Sequence, residues 1–475
     1  MTTSITGIET DSCTFRIDAQ RIAGLMSAEA PQSPGRIREV LARARELRGL
    51  ADFEVAALCA VSDGDLLEEV FESARAVKQA IYGDRMVLFA PLYISNLCQN
   101  ECAYCAFRVR NQAILRRSLT PAEIAAETKS LVDQGHKRIL LVAGEAYPRQ
   151  GFDYILDAIE TIYSVRSGRG EIRRINVNIA PLTVAEFRRL RQAKIGTYQL
   201  FQETYHEATY HKVHISGPKV DYGWRLGAID RALEAGIDDV GIGVLFGLHD
   251  WRFEVLALLQ HIQHLEQRFG VGPHTISVPR LEPADGSDLS QHPPAPVADL
   301  DFRKIVAVLR LAVPYTGIIM STRETANLRR MTMALGVSQI SAGSRTNPGG
   351  YAAGDDVETA NRAAAQFSLG DHRSLDAVIL NICEMGYIPS FCTACYRLGR
   401  TGQDFMDLAK PGQIKLHCQP NALSTLQEYA LDYASPQTRR SCEAAIARSL
   451  EAMDPQLRRR CEQMLLSLIH ISEPT

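Results

Sequence analysis

Charge of one sign is scarce in this chain: 52 Lys and Arg stand against 55 Asp and Glu in 475 residues, a formal net charge of −3. So even a balance gives no grounds for a nucleic-acid-binding surface. The short basic runs Arg188-Arg189 and Arg458-Arg459-Arg460 read as solvated helix faces. No run of about 18 apolar residues occurs, so no membrane span is expected. The first residues, MTTSITGIETDS, lack the basic-then-apolar order of a signal peptide. A cytoplasmic location is the expectation. Repeats at solenoid periods and low-complexity tracts are also lacking. What remains is an ordinary globular composition, 46% hydrophobic and 23% charged, in a chain longer than one average domain and able to bury a large core.

Cysteine, by contrast, is plentiful and unevenly placed. There are eleven, and in a reducing compartment close groups of thiols suggest metal or catalysis rather than disulfides. Cys98, Cys102 and Cys105 fall within eight residues, and Cys392, Cys395 and Cys418 form a second group. Cys13, Cys59, Cys383, Cys442 and Cys461 stand apart and read as buried small hydrophobes or idle surface thiols.

Residues 32 to 81 read as helices, opened by Pro31 and Pro34, with apolar residues at helical spacing. From residue 86 the rhythm changes. Short β-rich runs (86–94, 138–144, 175–180, 198–203, 240–247, 275–280, 317–322 and 340–344) alternate with amphipathic helices. One helix is introduced by Thr120 as N-cap and closed by Gly135. Apolar strands separated by such helices mark parallel β/α units. Eight units in this length predict an α/β fold, a (β/α)8 TIM barrel, with a doubly wound open sheet as the structural alternative. The expected organisation is an N-terminal helical segment (1–85), the barrel (86–350), and a mostly helical C-terminal domain (351–467). Residues 468–475 break the preceding pattern and read as a non-native tail.

The segment ISNLCQNECAYCAFR directly follows the first β-run, and in β/α barrels the C-terminal strand ends build the active site. Three thiolates spaced C-x3-C-x2-C can wrap a cubane iron–sulfur cluster and leave one iron open to substrate. A zinc site completed by a distant ligand is the alternative. The spacing, with Tyr104 before the last cysteine, resembles the radical S-adenosylmethionine (SAM) superfamily. That resemblance implies a [4Fe-4S] cluster with an open site that chelates the methionine amino and carboxylate groups of SAM. It also implies reductive cleavage of the sulfonium to a 5′-deoxyadenosyl radical. By the same resemblance, Ala143-Gly144-Glu145 ends the second strand where the family binds the methionine amino group. Glycine there lets backbone approach a ligand, although the family more often has two. Gln202-Glu203-Thr204 ends the fourth strand and places Glu203 toward the ribose or the sulfonium. Arg225 is expected to pair with the methionine carboxylate. Surface ion pairs are the competing reading for Glu203 and Arg225.

The second group, spaced C-x2-C-x22-C, again supplies three sulfur ligands. A second iron–sulfur cluster with one non-cysteine position is expected, with structural zinc as the alternative and His417 as its neighbouring donor. The motifs CTACYR, GRTG and CQPNAL resemble the [FeFe]-hydrogenase maturase tyrosine lyases, the HydG family, over about residues 30 to 440. The related 2-iminoacetate synthases of thiamine biosynthesis share the barrel. The resemblance implies cleavage of the Cα–Cβ bond of L-tyrosine to p-cresol and dehydroglycine. Carbon monoxide and cyanide then form at the auxiliary cluster, where an additional iron collects them. Implied partners are a reductant such as ferredoxin or flavodoxin, free cysteine, and other hydrogenase maturation proteins. His274 lies just before a strand, at the mouth opposite Cys98, and imidazole suits a labile ferrous ion; it is expected to hold the additional iron. A histidine merely hydrogen-bonded at a strand start is the alternative. His261 and His264 read as surface residues on one helix. Ser321-Thr322-Arg323-Glu324 ends the seventh strand and resembles the carboxylate-binding segment of tyrosine lyases, with Arg323 on the carboxylate and Ser321 assisting. A plain ion pair of Arg323 with Glu324 or a neighbour competes with that role, and Gly343-Ser344-Arg345 is a further candidate wall. Two other functions remain open: a 2-iminoacetate synthase, and a non-catalytic metallochaperone.

Overall fold

The computed structural model describes residues 15–28, 33–148, 150–352, 364–397, 401–410 and 413–472. Pro31, Cys13, part of the GRTG motif and the last three residues lie outside them. Eight parallel strands close into a barrel: β1 (Arg85–Ser95), β2 (Arg138–Ala143), β3 (Arg174–Asn178), β4 (Tyr198–Glu203), β5 (Val240–Val244), β6 (Thr275–Ser277), β7 (Gly317–Met320) and β8 (Val337–Ser341). Closure comes from β1 against β8, with Val87, Leu88 and Phe89 opposite Gln339, Ile340 and Ser341. The doubly wound alternative, which has two open edges, is thereby excluded. Seven strands fall where their apolar runs predict. The eighth begins earlier, at Val337, because Val337 and Ser338 are buried against β7 and leave the Gly343 turn beyond the sheet.

The helices between strands owe their ends to local chemistry. Thr120 accepts from the Glu123 backbone N–H, and Glu123 returns a bond from the Thr120 N–H at 2.7 Å, a reciprocal cap. The long helix Trp251–Phe269 stops at Gly270, whose φ of +74° suits a residue without Cβ. Its inner face carries a correction. His261 is 2% exposed, not a surface residue, and is hydrogen-bonded to the Tyr205 hydroxyl at 2.7 Å. His264 is partly buried and pairs with Asp230 at 2.7 Å. Among the described residues no helix is long and apolar enough to cross a membrane.

The C-terminal part reaches back to the barrel at three places. A ninth strand, β9 (Ile388–Ser390), pairs in parallel with Arg85, Met86 and Val87 of β1, on the edge that β2 takes over from Ala90 onward. Residues 364–371 form a strap across the opposite mouth, where the Gly370 N–H bonds to the Thr322 carbonyl at 2.9 Å. The helix Ile414–Asp432 is fastened under the barrel by Glu428. That carboxylate takes both Arg173 Nη1 and Nη2, at 2.8 and 2.6 Å, and lies 3.2 Å from Lys137 Nζ. Cys59, Cys383, Cys442 and Cys461 are buried, as expected of packing thiols.

Removing one member of a partly buried charge cluster leaves the others uncompensated. Glu428→Ala is therefore expected to lower stability by roughly 2 kcal/mol and to speed amide exchange in residues 413–432. Thermal melting and hydrogen-exchange mass spectrometry check this; unchanged exchange there would show that the helix is held by packing alone.

Candidate functional site

The upper site grows from the end of β1. Asn96, fully buried, donates to the Leu115 carbonyl at 2.7 Å and accepts from the Arg117 N–H at 2.8 Å. The Arg116 guanidinium donates to the carbonyls of Asn96 and Phe107, at 2.9 and 2.7 Å, and to that of Asn111 at 3.2 Å. These bonds pin the loop that carries Cys98, Cys102 and Cys105. Cys102 lies on a short ribbon, Glu101–Cys102, antiparallel to His214–Ser216. The Tyr104 hydroxyl is fixed by His214 Nε2 at 2.9 Å. Burial pushes all three thiols above their ordinary range, Cys105 to about 11. They carry protons unless a metal displaces them.

Gly144 is required here for a reason more local than ligand approach. A Cβ at that position would lie 2.9 Å from the Leu97 carbonyl carbon and nearer still to its oxygen. The strand end and the cysteine loop are thus in backbone contact. Next to it, four charges form a largely buried quartet, two of each sign. Glu145 pairs with Arg225 at 2.9 Å and accepts from Asn100 Nδ2 at 2.8 Å. Glu203 pairs with Lys219 at 2.7 Å and Arg225 at 3.5 Å. Burial works against ionisation of Glu145, yet Arg225 and Lys219 hold it below the usual carboxylate range. Lys219 and Asn100 were not singled out from the sequence, because each lies far along the chain from the carboxylate it meets. Cys98, Cys102, Cys105, Tyr104, Gly144, Glu145, Glu203 and Arg225 all line one cavity of about 590 Å³.

Glu203 has a left-handed φ of +72°, uncommon for a residue with a Cβ. Its neighbours hold that turn. The Leu245 N–H bonds its carbonyl at 2.8 Å. Glu254, from the helix Trp251–Phe269, takes the Tyr205 N–H at 2.9 Å and the Thr204 hydroxyl. Burial pushes the Glu254 carboxyl up to about 7, against those two bonds.

A second cavity, of about 1030 Å³, continues down the barrel axis and shares Tyr104, Cys105, Glu203 and Gln366 with the first. Ser321 and Arg323 line it. Arg323 does not pair with Glu324, whose carboxylate is taken by Arg280, with Nε at 3.1 and 3.0 Å. Among the described residues no carboxylate pairs with Arg323; its guanidinium lies over the Phe367 ring at 3.3 Å. An anion entering the cavity therefore finds an uncommitted cation. Glu282 is on the same wall, pushed up to about 7 by burial and by Glu324. Gly343, Ser344 and Arg345 do not line the cavity; Thr346 takes that place.

The second cysteine group lies at the opposite mouth. β9 delivers Cys392 beneath the start of β2, where Arg138 Nη1 donates to the Cys392 carbonyl at 2.9 Å. Cys392, Cys395, Cys418 and His274 line one cavity of about 550 Å³, together with Arg85 and Asp239. His274 stacks edge-on to Phe405, and its Nδ1 has no hydrogen-bond partner. Asp239 Oδ1 lies 3.8 Å from that nitrogen, beyond hydrogen-bond reach. Burial lowers the ring's affinity for protons, so it stands neutral, with one nitrogen protonated and the other keeping its lone pair. His417 is exposed and is not part of this lining. Among the described residues no three His, Cys, Asp or Glu side chains form a group that could hold a single metal ion. The fit to a larger iron–sulfur group rests on the donor chemistry: three thiols at each mouth, and below them a neutral imidazole with an unused nitrogen.

Two outcomes test this geometry. Gly144→Ala is expected to push the Leu97 segment away and to lose most of the iron bound at the upper loop, read by iron quantification after anaerobic reconstitution; wild-type iron content would show that the loop yields freely. For Glu254, whose folded-state value lies above the ordinary carboxyl value of about 4.3, the stability it contributes is full at low pH. It is lost as pH rises through about 7. Glu254→Gln should melt above wild type near pH 8, and the gap should close toward pH 5. A gap that widened on acidification would contradict the assignment.

Comparison with known proteins agrees with this arrangement. Residues 92–259 match the radical SAM superfamily, and residues 277–388 match the biotin and thiamin synthesis associated domain. A 2-iminoacetate synthase of Escherichia coli (strain K12) is 32% identical over 365 residues, covering 76% of this chain and 92% of that protein. The crystal structure of HydG, a maturase of the [FeFe]-hydrogenase, superposes with a TM-score of 0.91 at 46% identity, covering 97% of this chain and 99% of that one. The maturase HydG from Carboxydothermus hydrogenoformans gives 0.81 at 41% identity, covering 94% and 97%. With a closed β/α barrel and a cysteine triad after its first strand, the chain belongs to the radical SAM enzymes, in the HydG family of [FeFe]-hydrogenase maturases and close to the 2-iminoacetate synthases.

Proposed function

We propose that this radical SAM enzyme is a tyrosine lyase. It would break the Cα–Cβ bond of L-tyrosine, release p-cresol and dehydroglycine, and convert the latter fragment to carbon monoxide and cyanide for assembly of the hydrogenase cofactor. The observation that carries this reading is the pair of cysteine triads at opposite mouths of one barrel, the lower one sharing its cavity with a neutral His274. Cys98, Cys102 and Cys105 would hold a [4Fe-4S] cluster, which would supply the one-electron reduction of SAM that radical chemistry at the tyrosine amino group requires.

The chain's own residues do the rest. Asn96, Arg116 and Gly144 hold the cysteine loop in place. Glu145, Glu203, Lys219 and Arg225 offer SAM both signs of charge, which suits the zwitterionic methionine end and the ribose hydroxyls. Arg323, backed by Phe367 and assisted by Ser321, anchors the tyrosine carboxylate, so that one hydrogen of one nitrogen is presented. The closed strand cylinder and the strap 364–371 shield that nitrogen from water. At the lower mouth, Cys392, Cys395 and Cys418 would hold an auxiliary cluster, and His274 the additional iron. A one-electron donor such as ferredoxin or flavodoxin, free cysteine and other maturation proteins complete the proposed partners.

The 32% identity to a 2-iminoacetate synthase favours a second reading, a lyase that stops at dehydroglycine. Anaerobic turnover with L-tyrosine, SAM and reductant separates the two. Wild type is expected to form p-cresol and carbon monoxide, whereas Cys392→Ala/Cys395→Ala should keep p-cresol and lose carbon monoxide. An undiminished carbon monoxide yield in that variant would remove the lower site from the chemistry. p-Cresol without carbon monoxide in wild type would favour the second reading, and no 5′-deoxyadenosine at all would leave a metallochaperone.

A further inference from the structure

The upper cavity and the axial cavity share a wall, and one side chain of that wall makes polar contacts in both directions. Gln366 sits on the strap, which is anchored by the Gln366 N–H to the Thr346 carbonyl at 3.0 Å and the Ser368 N–H to the Pro283 carbonyl at 2.9 Å. Its Nε2 donates to Cys105 Sγ at 3.8 Å. Its Oε1 accepts from the Tyr93 hydroxyl at 2.7 Å. With a cluster bound, Cys105 would be a thiolate that accepts but does not donate, so the amide could not then be flipped without loss. Tyr93, on β1, is 5% exposed, meets Phe107 edge-on at 6.1 Å and lines the axial cavity with Arg323.

We propose that Gln366 is a positioning residue that couples the upper cluster to the axial pocket, so that a ligand reaching Tyr93 changes the cluster's reduction potential. An N–H donor on a ligand sulfur draws electron density from it and favours the reduced cluster, one of the recognised controls on such potentials. Tyr93, by donating to the amide oxygen, polarises the same amide and strengthens its N–H. Any ligand that competes for the Tyr93 hydroxyl therefore alters the bond to Cys105 without touching the cluster. Ser321 and Arg323 face the pocket but make no such link among the described contacts. The coupling rests on the axial cavity being the tyrosine pocket; the contact to Cys105 does not.

The test is an anaerobic redox titration followed by electron paramagnetic resonance, on the reconstituted full chain with SAM, with and without L-tyrosine. Without tyrosine, Gln366→Leu is expected to titrate at a more negative potential than wild type. Gln366→Glu, which keeps the shape but cannot donate when ionised, should do the same. Tyr93→Phe should shift in the same direction by less. Adding L-tyrosine should move the wild-type potential and leave that of Gln366→Leu in place. Wild-type potentials in both Gln366 variants, or a tyrosine-induced shift that persists in Gln366→Leu, would overturn the proposal. Equilibrium dialysis of L-tyrosine against wild type tells the two failures apart. No binding ends the substrate reading and the coupling with it, while the titrations without ligand still decide the bond to Cys105.

Discussion

Everything in this molecule hangs on the pairing of one long strand. β1 runs eleven residues, and three other strands lean on different stretches of it. Its upper half pairs with β2 and leads into the first cysteine loop; its lower end pairs with β9 and so fixes where Cys392 emerges. Arg85 at one end lines the lower cavity and Tyr93 lines the axial one. They are separated by eight residues of strand, roughly 26 Å at the usual rise. The two cysteine triads are therefore placed by one backbone register, and a slip in it would misplace both. The barrel also keeps the two cysteine groups apart, each lining its own cavity at its own mouth.

Charge at the upper site is arranged by compensation. Burying Glu145, Glu203, Lys219 and Arg225 singly would be costly, but as a closed set they satisfy one another and Asn100. Under the proposed function such a set would suit a zwitterionic ligand, because each pair can exchange an internal partner for an external one of the same sign without leaving a bare charge. Arg323 is treated differently: its flat cation rests on an aromatic face rather than on a carboxylate, an arrangement that keeps it ionised yet available.

The sequence was most legible where the signal is local. Strands of the barrel announce themselves as apolar runs between amphipathic helices, and C-x3-C-x2-C is a chemical statement in eight residues. Legibility fails where a residue's role depends on something far along the chain. β9 is three residues long and shows no alternation, so only its pairing with β1 reveals it as a strand. Gln366 and Phe367 belong to an irregular strap whose position is set by contacts with Thr346 and Pro283. His261 looked like the polar face of a helix because its period is right, but Tyr205 approaches from β4 and makes that face an interior one. Lys219 and Arg116 are basic residues among many, and nothing nearby marks them. For His274 the strand offset was enough to choose the correct mouth, since position relative to a strand start is itself local.

The ninth strand has a consequence for how the protein is made. A nascent chain that has left the ribosome only as far as residue 350 holds all eight barrel strands, yet the Arg85–Val87 edge still lacks the neighbour that Ile388–Ser390 provides. Unpaired strand edges invite wrong partners. The barrel can thus close early in synthesis but cannot be sealed until nearly forty further residues emerge, so the tail end of translation completes the floor beneath chemistry encoded near its beginning.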